Sequence, residues 1–137
     1  MRNLLLATAL LVSITGAAIA QTASPDGAKV YFIEPKDGAE VSSPVTVRFG
    51  LSGMGVAPAG VEKAKTGHHH LLINTKLEDY AAPVPADDNH KHFGGGQTET
   101  KVELSPGTHT LQLLLGDHNH IPHSPPVGSE VITITVK

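Results

Sequence analysis

Nine histidines stand in a chain of 137 residues that has no cysteine, no tryptophan, three phenylalanines and two tyrosines. Eight of them fall in three short windows: His68, His69 and His70; His90 and His92; and His118, His120 and His123. Each window holds a His-x-His pair. On an extended chain, residues two apart point to the same side with Cα atoms about 6.6 Å apart. Two imidazoles at that spacing can converge on one ion at about 2.0–2.1 Å per bond. The chemistry on offer at neutral pH is coordination of a transition metal by neutral ring nitrogens. The candidate ligands are His68, His70, His90, His92, His118, His120 and His123. Asp117 directly precedes the third pair and is a candidate to orient an imidazole by accepting its other N–H; a turn cap at the end of a strand is its alternative role.

All-imidazole ligation suits copper, zinc or nickel, and the Irving–Williams order makes copper(II) the tightest of these, so copper is favoured and zinc second. The lack of cysteine excludes zinc fingers, iron-sulfur clusters, thiolate copper sites, thiol nucleophiles and disulfide scaffolds. Met54 is the single methionine beyond Met1, which argues against a copper(I) site built from thioethers and leaves bis-His copper(I) open. A catalytic metal would need an open coordination position and a nearby base. Glu99 or Asp117 could supply the base, but no spacing fixes that geometry, so the expectation is a protein that is not an enzyme. Copper-zinc superoxide dismutases also place His-x-His on a Greek-key sandwich, yet their disulfide is impossible here. A third reading is a structural or interaction domain whose histidines build a polar network, with pH-sensitive stability and no metal stoichiometry.

Net charge is -3 and the ten Lys and Arg residues are scattered singly, which argues against a nucleic-acid partner. Gly94-Gly95-Gly96 lacks the Lys-Ser/Thr and helix start of a phosphate cradle. Asp87, Asp88 and Glu99 are possible carboxylate ligands or solvated charges.

The elements that must carry these residues read as short strands. Apolar residues alternate over 29–34, 45–51, 98–104, 108–115 and 130–137, with Gly- and Pro-rich turns between them. Residues 68–75 form a further strand, and residues 59–63 have room for one turn of helix. About seven short strands without an amphipathic helix predict an all-β, antiparallel two-sheet sandwich of immunoglobulin-like type. In that order, 68–75 pairs antiparallel with 108–115, so the first histidine window lies beside Asp117, His118 and His120. His90 and His92 belong to a loop expected at the same end. If Leu71 and Ile73 face the core, alternation turns His69 inward as well. His109 begins a strand at the opposite end, in a place like that of a tyrosine corner, and is read as structural.

Residues 1–20 carry Arg2, an apolar run from Leu4 to Ile14 and Ala18-Ile19-Ala20, the pattern of a cleaved signal peptide too short to span a bilayer comfortably. The expectation is a periplasmic protein that begins at Gln21, with a flexible lead-in over 21–28, one domain over 29–137 and no membrane span. A metal ion is its expected partner, with a periplasmic protein possible beside it.

The chain resembles a secreted, His-rich bacterial family catalogued as domain of unknown function 4399. The matching stretches are Gly50-Leu51-Ser52-Gly53-Met54-Gly55-Val56-Ala57-Pro58-Ala59-Gly60, Gly67-His68-His69-His70-Leu71-Leu72-Ile73 and His92-Phe93-Gly94-Gly95-Gly96-Gln97-Thr98-Glu99-Thr100. They continue with Pro106-Gly107-Thr108-His109-Thr110-Leu111-Gln112-Leu113 and Gly116-Asp117-His118-Asn119-His120-Ile121-Pro122-His123. The resemblance implies a periplasmic single-domain protein and brings no activity with it.

Overall fold

The computed structural model describes Ser13, Gly16 and residues 20–137. The leader expected over residues 1–20 lies outside the described residues, those three apart. Among the described residues nine strands follow in chain order: β1 (Lys29–Glu34), β2 (Glu40–Val41), β3 (Val45–Ser52), β4 (Gly55–Val56), β5 (Thr66–Ile73), β6 (His90–His92), β7 (Glu99–Val102), β8 (Gly107–Gly116) and β9 (Ile132–Val136). They form two sheets, β1-β3-β7 and β2-β9-β8-β5-β4, with β6 paired to β5. The architecture is an all-β sandwich. Among the described residues there is no helix, the turn at 59–63 included, and none long and apolar enough to cross a membrane.

Period-two alternation decides the core. In β1 and β9 every second residue is buried, so Val30 and Phe32 on one sheet face Ile132, Ile134 and Val136 on the other. Val45, Val47 and Phe49 from β3 meet Leu71 and Ile73 from β5 and Leu111, Leu113 and Leu115 from β8. Each of these side chains contributes about 1.5–3 kcal/mol when removed from water.

β5 departs from the alternation, being buried on both faces from Gly67 to Ile73. Its outward Leu72 packs with Leu114 of β8 beneath Leu77 and Val84 of the long connection to β6. That connection is bonded to the loop after β8 through the Val84 N–H, which donates to His120 O at 2.8 Å. The outer face of the large sheet is thereby roofed by loops and becomes a second, smaller interior. Residues 21–24, expected as a flexible lead-in, are tied to the same loop by a bridge between Ala23 and Ser124.

The expected pairing of β5 with β8 is present and antiparallel, with His68 opposite Gly116 and His70 opposite Leu114. His90 and His92 depart from their expected place in a loop. They form β6 on the edge of β5, with His92 opposite His70 and His90 opposite Leu72. His109 is buried at the start of β8. Its Nδ1 accepts from Asn74 Nδ2 at 2.8 Å, and its Nε2–H donates to Ser105 O at 2.7 Å, four residues upstream. His109→Ala strands both partners. It is expected to lower unfolding free energy by about 1–3 kcal/mol and to leave metal affinity within twofold of wild type, measured by urea denaturation and metal titration.

Candidate metal centre

Four of the seven candidate ligands converge. His68 and His70 share the outward face of β5, β6 lays His92 beside His70, and the loop after β8 brings in His120. One ring nitrogen from each lies within 4.8 Å of every other. His68 Nε2 and His120 Nδ1 are 3.2 Å apart. The His68 and His70 ring centroids are 4.6 Å apart, as are those of His92 and His120. A tetrahedral ion with bonds of about 2.0–2.1 Å needs nitrogens about 3.3–3.4 Å apart, which the His68–His120 pair is already close to.

His68, His70 and His92 favour the neutral form that a metal needs. Burial, and then the neighbouring His92 and His120, push His68 down to about 4. Burial, followed by His68, His92 and His120, takes His70 to about 3. His92 is also lowered, by burial first and His120 second. These rings are neutral at pH 7 and each keeps a lone pair. His68 Nδ1 and both nitrogens of His70 are buried without a hydrogen-bond partner. Buried polar atoms are ordinarily satisfied, and each unsatisfied one costs about 1–3 kcal/mol. A cation bound by one nitrogen of the His70 ring would relieve part of that cost, so the residues fit a metal.

Two glycines make room for the rings. A β-carbon at Gly116 would stand 2.6 Å from His70 Cε1, 3.1 Å from His70 Nδ1 and 3.3 Å from the His120 carbonyl carbon. One at Gly94 would meet the His92 ring at 2.4 Å and Ala59 Cβ at 3.3 Å. Gly116→Ala is therefore expected to displace both His70 and the His120 loop. The expected loss of stability is about 1–3 kcal/mol, as for other overpacking substitutions. Metal affinity should fall roughly 10–100-fold, the range for disturbed support of a ligand; wild-type values for both quantities would show that the rings have other room.

The fourth ligand depends on a turn. His120 has φ of 65°, a left-handed conformation uncommon outside glycine. Asp117 shapes this turn. Its Oδ1 accepts from the Asn119 N–H at 2.8 Å and the Ile121 N–H at 3.1 Å, while its carbonyl accepts from the His120 N–H at 2.9 Å. Burial raises the Asp117 pKa, and the hydrogen bonds from Thr22, Asn119 and Ile121 outweigh it, leaving the carboxyl below its usual range. The carboxylate thus bonds to the backbone and to Thr22, not to an imidazole.

The other histidines lie apart from the four. His90 Nδ1 is 2.8 Å from Asp87 Oδ1, a bond that holds the Asp87 carboxyl below its usual range. His118 points to Asn119 Nδ2 at 3.0 Å and Glu62 Oε2 at 3.9 Å. His123 is buried with Nε2 at 3.3 Å from Thr66 O and Nδ1 unpartnered. His69 faces the core, its ring 4.9 Å from that of Phe49, and burial lowers it to about 4. Glu99 pairs with Arg48 at 2.9 Å and Asp88 with Lys91 at 3.8 Å. The room that Gly116 and Gly94 leave for the rings was not legible in the sequence, although each stands within four residues of a cluster histidine.

Fold and cluster together define a two-sheet β-sandwich with a four-histidine cluster able to hold a metal ion. The chain belongs to the family described as Domain of unknown function (DUF4399), which it matches over residues 47–137, a span that contains all four histidines. No curated protein and no solved structure matches the chain.

Proposed function

We propose that this is a periplasmic transition-metal-binding protein, with copper favoured and zinc second, acting in metal carriage, buffering or resistance. The observation that carries the reading is the convergence of His68, His70, His92 and His120 with buried nitrogens left unpaired. Four imidazole nitrogens and no thiolate suit copper and zinc, and the Irving–Williams order ranks copper(II) above zinc. A non-catalytic role is favoured because the two candidate bases are engaged elsewhere, Asp117 with Thr22 and backbone amides and Glu99 with Arg48 on the opposite sheet. The leader pattern of residues 1–20 supports the periplasm.

Calorimetric titration of the tag-free protein with copper(II) and zinc(II) in a weakly chelating buffer tests this. The expected result is saturation at one ion per chain with sub-micromolar Kd and tighter binding of copper. Weak, non-saturating heat with both ions would sink the proposal and favour a His-lined polar network.

A further inference from the structure

The four ligands are not held alike. His68, His70 and His92 sit on paired strands, whereas His120 sits on a loop in a left-handed conformation. Such a residue persists only where its surroundings over-determine it. Asp117 spends one carboxylate oxygen on the turn amides; its other oxygen, Oδ2, accepts from Thr22 Oγ1 at 2.8 Å. Asp117 is 4% exposed, so without Thr22 this charged oxygen would lose its partner in a largely dry place. The flanking chain is clamped as well. The Ser124 N–H donates to Thr22 O at 2.9 Å, the Ser24 N–H to Ser124 O at 3.1 Å, and Gln21 Nε2 to Pro122 O at 3.1 Å and Tyr80 O at 2.6 Å.

We propose that residues 21–24 form a strap that positions the fourth metal ligand, with Thr22 as its positioning residue acting through Asp117 on His120. The inference rests on the metal-binding reading above and adds to it a determinant of the donor set. With the strap in place the ion receives four nitrogens. With the strap loosened the turn keeps its backbone bonds, among them Val84 N–H to His120 O, but the His120 ring loses its fixed aim, and three strand-borne imidazoles remain with a position open to water. Thr22 lies upstream of the segment that matches the family, residues 47–137.

The test compares Thr22→Val, which keeps the shape and loses the hydroxyl, with Thr22→Ser, which keeps the hydroxyl. Three properties are read: affinity for copper(II) and zinc(II), the visible spectrum of the cobalt(II)-loaded protein, and hydrogen exchange of the His120 and Ile121 amides without metal. Water would take the position His120 leaves, and exchange of a nitrogen donor for an oxygen moves the ligand-field bands of four-coordinate cobalt(II), so the band positions report the donor set, which a change in stability alone does not move. Thr22→Val is expected to lose roughly 10–100-fold in affinity, as when the outer support of a ligand is removed. Its cobalt bands should shift from those of wild type and the two amides should exchange faster, while Thr22→Ser stays near wild type. Gln21→Ala, which cuts the strap from its other side, should shift all three readouts in the same direction. Wild-type affinity and wild-type cobalt bands in both Thr22→Val and Gln21→Ala overturn the strap, whatever their melting temperatures. Failure of the metal reading looks different: the wild-type chain itself would take up no ion.

Discussion

Replacing His70 by alanine is expected to lower metal affinity by more than about 100-fold, beyond the 10–100-fold typical of outer-sphere substitutions, because a donor itself is lost. His70 is 1% exposed, and its ring is 4.6 Å from that of His68 and 5.3 Å from that of His92, so no water-filled detour replaces it. His118→Ala is the matched control. That ring points to Asn119 and Glu62, and its loss should leave affinity within a few-fold of wild type. Thermal unfolding gives a second readout. An ion at 100 times the wild-type Kd stabilises that protein by about 2.7 kcal/mol, but stabilises a variant whose Kd is 100-fold weaker by only about 0.4 kcal/mol. Equal losses in His70→Ala and His118→Ala, or none in either, would contradict the four-histidine centre.

Acid is expected to unfold the metal-free protein well above the pH at which carboxylates alone would do so. His68 and His69 titrate near 4 in the folded chain, and His70 near 3, against 6.5 when unfolded, with burial the leading cause for all three. Between those limits the unfolded chain binds more protons, so stability is full above about pH 6.5 and falls as pH falls. Each histidine contributes a slope of about 1.4 kcal/mol per pH unit, so three give on the order of 4 kcal/mol per unit until their folded pKa values are reached. A domain of ordinary stability, about 5–15 kcal/mol, is exhausted within a few units of such a slope. Bound metal excludes protons from His68 and His70 and should move the acid midpoint downward, leaving His69 as the core group that still drives unfolding. Denaturant melts from pH 7.5 to 4, with and without zinc(II), measure both effects; a midpoint independent of pH over that range would show that these rings are not buried neutral.

The alternating runs at β1, β3, β7, β8 and β9 were readable because burial of one face imposes a period of two on the sequence itself. The six principal strands accordingly lie within two residues of where the pattern puts them. The same rule put His68 and His70 on one face and His69 on the other, since strand parity is local. It could not show that the face opposite the core would also be roofed. That depends on Val84 and Leu77 folding back over Leu72 and Leu114 from a connection with no period of its own.

Which members of the other two pairs join the cluster was a tertiary decision. His90 and His92 share a strand and a side, yet register sets His92 against His70 and His90 against Leu72, and the latter turns to Asp87. His118 and His120 violate the spacing argument altogether. The turn held by Asp117 is not extended, and φ of 65° at His120 sends one ring into the cluster and leaves the other at Glu62. By itself the sequence determined the sheet sandwich, the inward-facing positions and a supply of neutral nitrogens, because those follow from composition and from a repeat between near neighbours. Strand register, loop closure and the strap from residues 21–24 chose four ligands out of seven candidates. Those choices rest on contacts between residues 20 to 100 positions apart, whose geometry no local periodicity encodes.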